Sequence, residues 1–408
     1  MNYLKTFAQN IKVNEKKIIY LIYFLPIALL AGSLIINLTV LIISFFFIFE
    51  IVKEKKIKKV FNVYVFLLLI ILAYLLLNSF FISKNSESIF KAFGFLRFII
   101  FTTAIAYYFK IENCKYEKKI IIFWFAIFLI VTADLLFEFI FGFNTLNFKS
   151  EYLGRLAGFT GDELKIGGYY FGFFLLSILF FNKNENYFII FFIIFLIVAY
   201  IIGERSNFIK ILFISIIFYF IILKINNYKK ILFIIVPILI IISVTYSNKI
   251  YKERFYNYLI KPIIEKNIDV KFSNDRHIGH YRLAIDIFKN NKLFGVGFKN
   301  FRNESFHRQV NLGEKIAVTT HPHQIHLEFL SELGIVGYLI MLSFFSYSIF
   351  NGLKIYKSNK STLTLAGTLF IIATILPILP SGSFFTTYGA TIFWINYSFI
   401  MKDKLKLD

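Results

Sequence analysis

The chain has 408 residues, of which 58% are hydrophobic and 20% aromatic, and its mean hydropathy is +0.69. This composition excludes a soluble globular enzyme. The formal net charge of +21 is a topology signal, not a nucleic-acid-binding surface, because most lysines sit in short clusters between apolar runs. The single cysteine, Cys114, excludes an intrachain disulfide and a cysteine-based metal site.

A bilayer crossing takes about 20 apolar residues. Hydropathy predicts about twelve such spans, near 18–32, 36–52, 60–78, 91–109, 120–142, 166–181, 187–203, 206–223, 231–247, 334–351, 362–380 and 384–400. The expected fold class is an all-α polytopic membrane protein. MNYLKTFAQNIKVNEKK leads into the first span without a small-residue cleavage site, so that span is read as a retained helix. The connections KVNEKK, KEKKIKK, KIENCKYEKK, NKNEN, KINNYKK, KIYKSNK and KDKLK are basic, and the other short loops are not. By the positive-inside rule the basic set is cytoplasmic, as are both termini. The loop 143–165, the turn 203–207 and the segment 248–333 then face outward. The chain divides into an N-terminal bundle at 1–247, a long outer loop at 248–333 and C-terminal spans at 334–408.

Asp134 and Glu138 lie one turn apart in the fifth predicted span. Intramembrane acids are functional candidates, either as a proton path or as partners of Arg97 at similar depth in the fourth span. Next, RLAGFTGDELKIGGYY at 155–170 sets Arg155 near Asp162 and Glu163. An arginine there can hold a phosphate by two hydrogen bonds, or simply pair with those acids. The GERSN turn holds Glu204 and Arg205 at the outer surface, where a snorkelling arginine is the alternative.

All six histidines fall between His277 and His326, so near-neutral proton chemistry is confined to the long loop and its end. Arg276 and His280, four residues apart, share a face of an amphipathic helix. The GVG stretch at 295–297 offers either backbone N–H groups to an anion or a plain turn. In THPHQIHLEFLSELG, a helix with Pro322 in its first turn and Gly334 as its stop would put His323 at the positive end of a helix dipole. That position favours a neutral imidazole, a suitable general base. His321, His323 and His326 also raise a metal site, but the spacing is not that of HExxH and no carboxylate completes the set, so none is expected.

The chain has no P-loop and no dinucleotide fingerprint. A reaction on the outer face lacks ATP and needs a pre-activated donor, such as a sugar chain on a polyprenyl pyrophosphate. That chemistry asks for cations, a base and a lateral opening for the lipid tail.

The segments RLAGFTGDELKIGGYY, GERS, HYRLAIDIFKNNKLFGVGFKNFR and THPHQIHLEFLSELGIVG, in this order, resemble the O-antigen ligase and polymerase superfamily of membrane glycosyltransferases. The resemblance covers residues 130–340. It implies a GT-C-like helical fold with a long periplasmic loop, in a bacterial inner membrane. It implies inverting transfer of a glycan from undecaprenyl pyrophosphate to an acceptor hydroxyl, without metal or other cofactor. The acceptor would be a lipid A-core sugar for a ligase, or a growing glycan for a polymerase. His323 matches the family's catalytic histidine. Arg155, Arg205 and Arg276 match its pyrophosphate-binding arginines, with Arg282 competing for the third place. Asp162, Glu163, Glu204, His280, His321 and Gln324 would support them, Gln324 standing where the family has asparagine. From other classes, a flippase or ion-coupled transporter for lipid-linked glycans fits the many spans, and a scaffold of an envelope assembly would tolerate loss of His323.

Overall fold

The computed structural model describes residues 15–114, 116–163, 165–178, 185–222, 227–264, 276–310 and 319–405. Among these residues the protein is helical throughout, without a strand. The principal helices are α1 (Glu15–Leu30), α2 (Ser33–Lys53), α3 (Val63–Asn78), α4 (Ser86–Cys114), α5 (Glu117–Phe141), α6 (Ile166–Ile178), α7 (Glu185–Ile201), α8 (Arg205–Ile222) and α9 (Asn227–Ser247). They continue with α10 (Arg276–Asn290), α11 (Phe301–Val310), α12 (Ile325–Asn359), α13 (Thr362–Thr374) and α14 (Thr387–Met401). Helix is the form that satisfies backbone polar groups within apolar sequence, since each N–H finds its acceptor in the same segment.

Each of the twelve predicted spans falls on one of these helices. Among the described residues, by length and composition, five segments can cross a membrane: Ser33–Lys53, Val63–Ser83, Ser86–Ile111, Glu117–Phe141 and Ile325–Asn359. A sixth forms if Ile234–Ser247 and Lys249–Asn257, bent by 103°, count as one. The bend falls at Asn248, whose side chain accepts from the N–H of Ile250 at 2.9 Å and so starts a new helix. Four further apolar helices are shorter, Thr362–Thr374 among them. Hydropathy carried that span on to 380, but the helix stops at Thr374. Pro377 and Pro380 follow, and each lacks an N–H and disfavours helix in the residue before it.

Helix α14 is the hub. Almost all of it is buried, including Trp394 and Tyr397, and it packs against α2, α4, α6, α12 and α13. Around it Phe393, Phe384 and Phe344 pack with Trp394 at ring separations of 4.8, 6.1 and 6.3 Å. Edge-on aromatic pairs at these distances favour a fixed arrangement over a fluid one.

The long loop returns onto this bundle through a glycine turn. Asn78, at the end of α3, donates to the carbonyl of Phe294 at 2.8 Å and accepts from the N–H of Phe298 at 2.6 Å. The N–H groups of Val296 and Gly297 donate to the carbonyls of Ser331 and Glu332. The GVG stretch is therefore a packing turn, with those two donors already used. Opposite it, α12 breaks at Gly334 (φ 67°, ψ −173°), which separates the predicted short helix from the predicted span. The freed N–H groups of Ile335 and Val336 donate to the carbonyls of Lys292 and Leu293.

A Cβ on residue 334 would lie 2.3 Å from the carbonyl oxygen of Leu293, in a backbone conformation that only glycine adopts readily. The Gly334→Ala variant should lose roughly 3 kcal/mol or more, from strain together with the displaced loop. Denaturant unfolding in detergent micelles checks this; wild-type stability would mean the turn and the break are not coupled.

Candidate functional site

Arg155 sits at the end of a loop that begins where α5 stops. Gly142 caps α5 in the left-handed conformation, and the chain then folds back over the helix end. Two carboxylates of α5 hold this loop. Glu138 accepts from the N–H groups of Ala157 and Gly158, both at 2.7 Å. Asp134 accepts from the N–H of Thr145 at 2.9 Å and from its hydroxyl. Asn144 ties the two ends of the loop together by donating to the carbonyl of Gly158 at 2.8 Å. The expected pairing of Asp134 and Glu138 with Arg97 is thus corrected. The acids bind loop backbone, and Arg97 turns to α14, where Nη2 donates to the Thr387 hydroxyl at 3.2 Å.

The Arg155 loop meets the turn that carries Glu204 and Arg205. The N–H of Leu156 donates to the carbonyl of Ile202 at 3.1 Å. Arg254, beyond the bend after α9, spans both segments: Nη1 donates to the carbonyl of Leu153 at 2.9 Å and Nη2 to that of Gly203 at 2.8 Å. It also lies within electrostatic reach of Arg155 and Arg205, so three guanidiniums converge. Glu204 accepts from the N–H of Gly167 at 3.2 Å, at the start of α6, and from Asn207 at 2.6 Å. Burial raises the pKa of Glu204, while the charge of Arg155, the Asn207 and Gly167 hydrogen bonds and the charge of Lys210 act against that rise. Glu163 pairs with Lys165, which also donates to Ser33 at 2.8 Å. The expected role of Glu163 beside an arginine is thereby redirected to a lysine.

The histidines come from two segments. His277 and His280 lie on α10, and His321 and His323 lie just before α12. The His323 ring is 4.0 Å from that of His321, 5.2 Å from His280 and 5.3 Å from His277. Helix α12 begins at Ile325, later than expected. Pro322 precedes it, and Gln324 is its N-cap, accepting from the N–H of Leu327 at 2.7 Å. His323 is therefore outside the first turn, in the left-handed region at φ 58°. A side chain held there costs about 1–2 kcal/mol, which the surrounding packing must offset. Its carbonyl accepts from the N–H of Ser381 at 2.8 Å, which fixes it to the loop between α13 and α14.

Its neutrality has a different cause from the one expected. Burial, then repulsion from His321, His277 and His280, pushes the His323 imidazole down to about 3. Burial also lowers His321. His326 faces elsewhere, with Nε2 against the carbonyl of Ile375 at 2.7 Å, and serves packing. Among the described residues no three potential ligands converge on a metal position.

These groups line one cavity of about 1800 Å³. Arg155, Arg205, Glu163, Glu204, His321 and His323 all reach it from separate segments. Among the described residues, eight lysines and arginines line it against three glutamates, so it suits a polyanion. Phe90, Phe95, Phe370 and Ile392 make much of the remaining wall apolar. His280 stacks behind His323 without lining the cavity. Arg282 is exposed and does not line it either. Arg276 opens α10 next to His277, which does line it. The side chains of Arg276 and Asp162 lie outside the described residues.

Sequence reasoning missed Arg254, Lys210 and Lys299. Lys210 is buried on α8 and lines the cavity near Glu204. Lys299 lines it while bonding Glu328 at 3.2 Å, and Glu328 in turn accepts from the N–H of Phe384 at 2.9 Å. The signals were present as basic residues outside or just inside the spans, but the partners of Arg254 and Lys299 are far away in sequence.

Residues 190–342 match the family model described as O-Antigen ligase. This segment holds Arg205, the long loop and His323, and it bears out the resemblance to the O-antigen ligase and polymerase superfamily. No curated protein matches the chain.

Two measurements follow from this geometry. The His323 pKa in the fold lies below its unfolded value near 6.5, so its contribution to stability is full above that pH and is lost as pH falls toward 3. In an NMR titration of the ligand-free protein, the His323 ring should stay neutral between pH 8 and 5; an inflection near 6.5 would contradict the burial described. The Glu138→Ala variant strands two N–H groups, and bonds to charged partners contribute about 1.5–3 kcal/mol each. Its unfolding should come earlier, with faster proteolysis at 143–158, whereas a proteolysis pattern like wild type would show that Glu138 does not hold the loop.

Proposed function

We propose that this chain, with its O-antigen ligase-family segment at 190–342, is a membrane glycosyltransferase that moves a glycan from undecaprenyl pyrophosphate to an acceptor hydroxyl. The carrying observation is that Arg155, Arg205 and His323 line a single basic cavity with an apolar wall. Guanidiniums bind oxyanions in planar, paired hydrogen bonds, and the apolar wall suits a polyprenyl chain. A lipid A-core sugar is the acceptor favoured here, on the outer face of a bacterial inner membrane. A polymerase extending its own glycan is the neighbouring reading.

Arg155 and Arg205, joined by Arg276, hold the pyrophosphate. His323 takes the proton from the acceptor hydroxyl. The acceptor oxygen attacks the anomeric carbon from the face opposite the pyrophosphate. The new C–O bond forms as the bond to the pyrophosphate oxygen breaks, and its electron pair leaves on undecaprenyl pyrophosphate. The configuration at that carbon inverts. An imidazole held at about 3 is by itself a weak base. A bound pyrophosphate raises its basicity by favouring the protonated form, which ties proton transfer to donor occupancy. Preorganised cations at the leaving group supply the largest share of the rate. The transporter alternative loses support, because Asp134 and Glu138 are occupied by loop hydrogen bonds.

In a strain lacking the gene, the His323→Ala variant should express normally yet fall at least a hundredfold in transfer, within the usual range for a general base, with lipid-linked donor accumulating. Full transfer by that variant would remove His323 as the base and bring back the flippase and scaffold readings.

A further inference from the structure

Arg97 lies on α4, inside the apolar segment Ser86–Ile111 that is long enough to cross a membrane. A charge at that depth is costly unless it is paired or faces a polar cavity. The guanidinium carbon is 4.8 Å from the Phe98 ring centroid, and Nη2 reaches only the Thr387 hydroxyl. Nε is buried and has no hydrogen-bond acceptor among the described residues. No carboxylate among the described residues pairs with it, since Asp134 and Glu138 serve the Arg155 loop.

Five other cations of the cavity have acidic neighbours. Lys91 pairs with Glu87 at 2.5 Å, Lys165 with Glu163, and Lys299 with Glu328. Arg155 and Lys210 both feel Glu204. Arg97 lines the same cavity with an unanswered charge and an unused N–H. An apolar residue would fill this place at lower cost, so the charge is explained by an anion that arrives with the substrates.

We propose that Arg97 is a further oxyanion-binding residue of the transfer site, receiving a phosphate or carboxylate oxygen through its Nη groups. This rests on the glycosyltransferase reading above. Two sources share that chemistry, namely the donor pyrophosphate and an acidic group on the acceptor glycan.

The test compares purified wild type, Arg97→Gln, Arg97→Lys and Arg155→Gln in detergent micelles. Binding of undecaprenyl pyrophosphate is measured by native mass spectrometry, the acceptor KM by turnover, and the melting temperature without ligand. Arg97→Gln is expected to melt no lower than wild type, because it removes an uncompensated charge. A tenfold or greater loss of lipid pyrophosphate binding assigns Arg97 to the donor. Unchanged donor binding with a tenfold or greater rise in acceptor KM assigns it to the acceptor. Arg97→Lys should recover only part of either effect, because an ammonium cannot reproduce the planar pair of donors. Wild-type donor binding and acceptor KM in Arg97→Gln would overturn the proposal, as would a lowered melting temperature with both unchanged. If Arg97→Gln fails to fold, Arg97→Lys decides by the same two readouts. Should Arg155→Gln also bind donor and turn over normally, the glycosyltransferase reading itself would fail.

Discussion

Gly154 and Gly203 pass so close that a Cβ on residue 203 would lie 1.9 Å from the Gly154 carbonyl oxygen. Both have φ in the left-handed range, at 71° and 78°. The next residue after Gly154 is Arg155, and two after Gly203 comes Arg205. Their contact sets the spacing of the two arginines, and Arg254 fastens it by bonding a carbonyl on each side. The rest of the cavity is arranged around that junction: Glu138 behind the first segment, Glu204 capping α6 behind the second, and Lys210 one turn and a little further along α8. Two loops that were independently mobile would lose the pre-paid orientation on which tight anion binding depends.

The histidine part of the cavity follows a different rule. His323 is held in a strained conformation by Ser381 and hemmed in by three other imidazoles. Burial first, and then repulsion from the neighbouring imidazoles, disfavours protonation of His323. The His323 imidazole thus shares a cavity of about 1800 Å³ with a cluster of positive charges. Such a site, with more cationic than acidic side chains in its lining, suits an anion.

Much of this was legible in the sequence, and the limits are physical. Hydropathy located the helices because apolar length is a property of the segment itself. It read through Pro377 and Pro380 because a window average does not register a missing N–H. Arg155, Arg205 and His323 stood out as charges or titrating groups beside apolar runs, and all three line the cavity. Arg97 was assigned to the wrong neighbours because depth in a span says nothing about which way a helix face points. His323 was read as neutral, but through a helix dipole, since the shift of the helix start to Ile325 depends on how Gln324 caps it. Arg254 and Asn78 were invisible as anchors, because their acceptors lie 51 and 101 residues away for Arg254 and 216 away for Asn78.

The central claim is that one cavity both holds the lipid pyrophosphate and presents the base. It is tested most directly with a photoreactive undecaprenyl pyrophosphate analogue, crosslinked to the protein in membranes and mapped by mass spectrometry. Labelling is expected at residues 204–210 and at the 320–323 segment in the same preparation, and it should be competed away by unlabelled undecaprenyl pyrophosphate. Competed labelling confined to the outer surface of the bundle, away from both segments, would contradict the account.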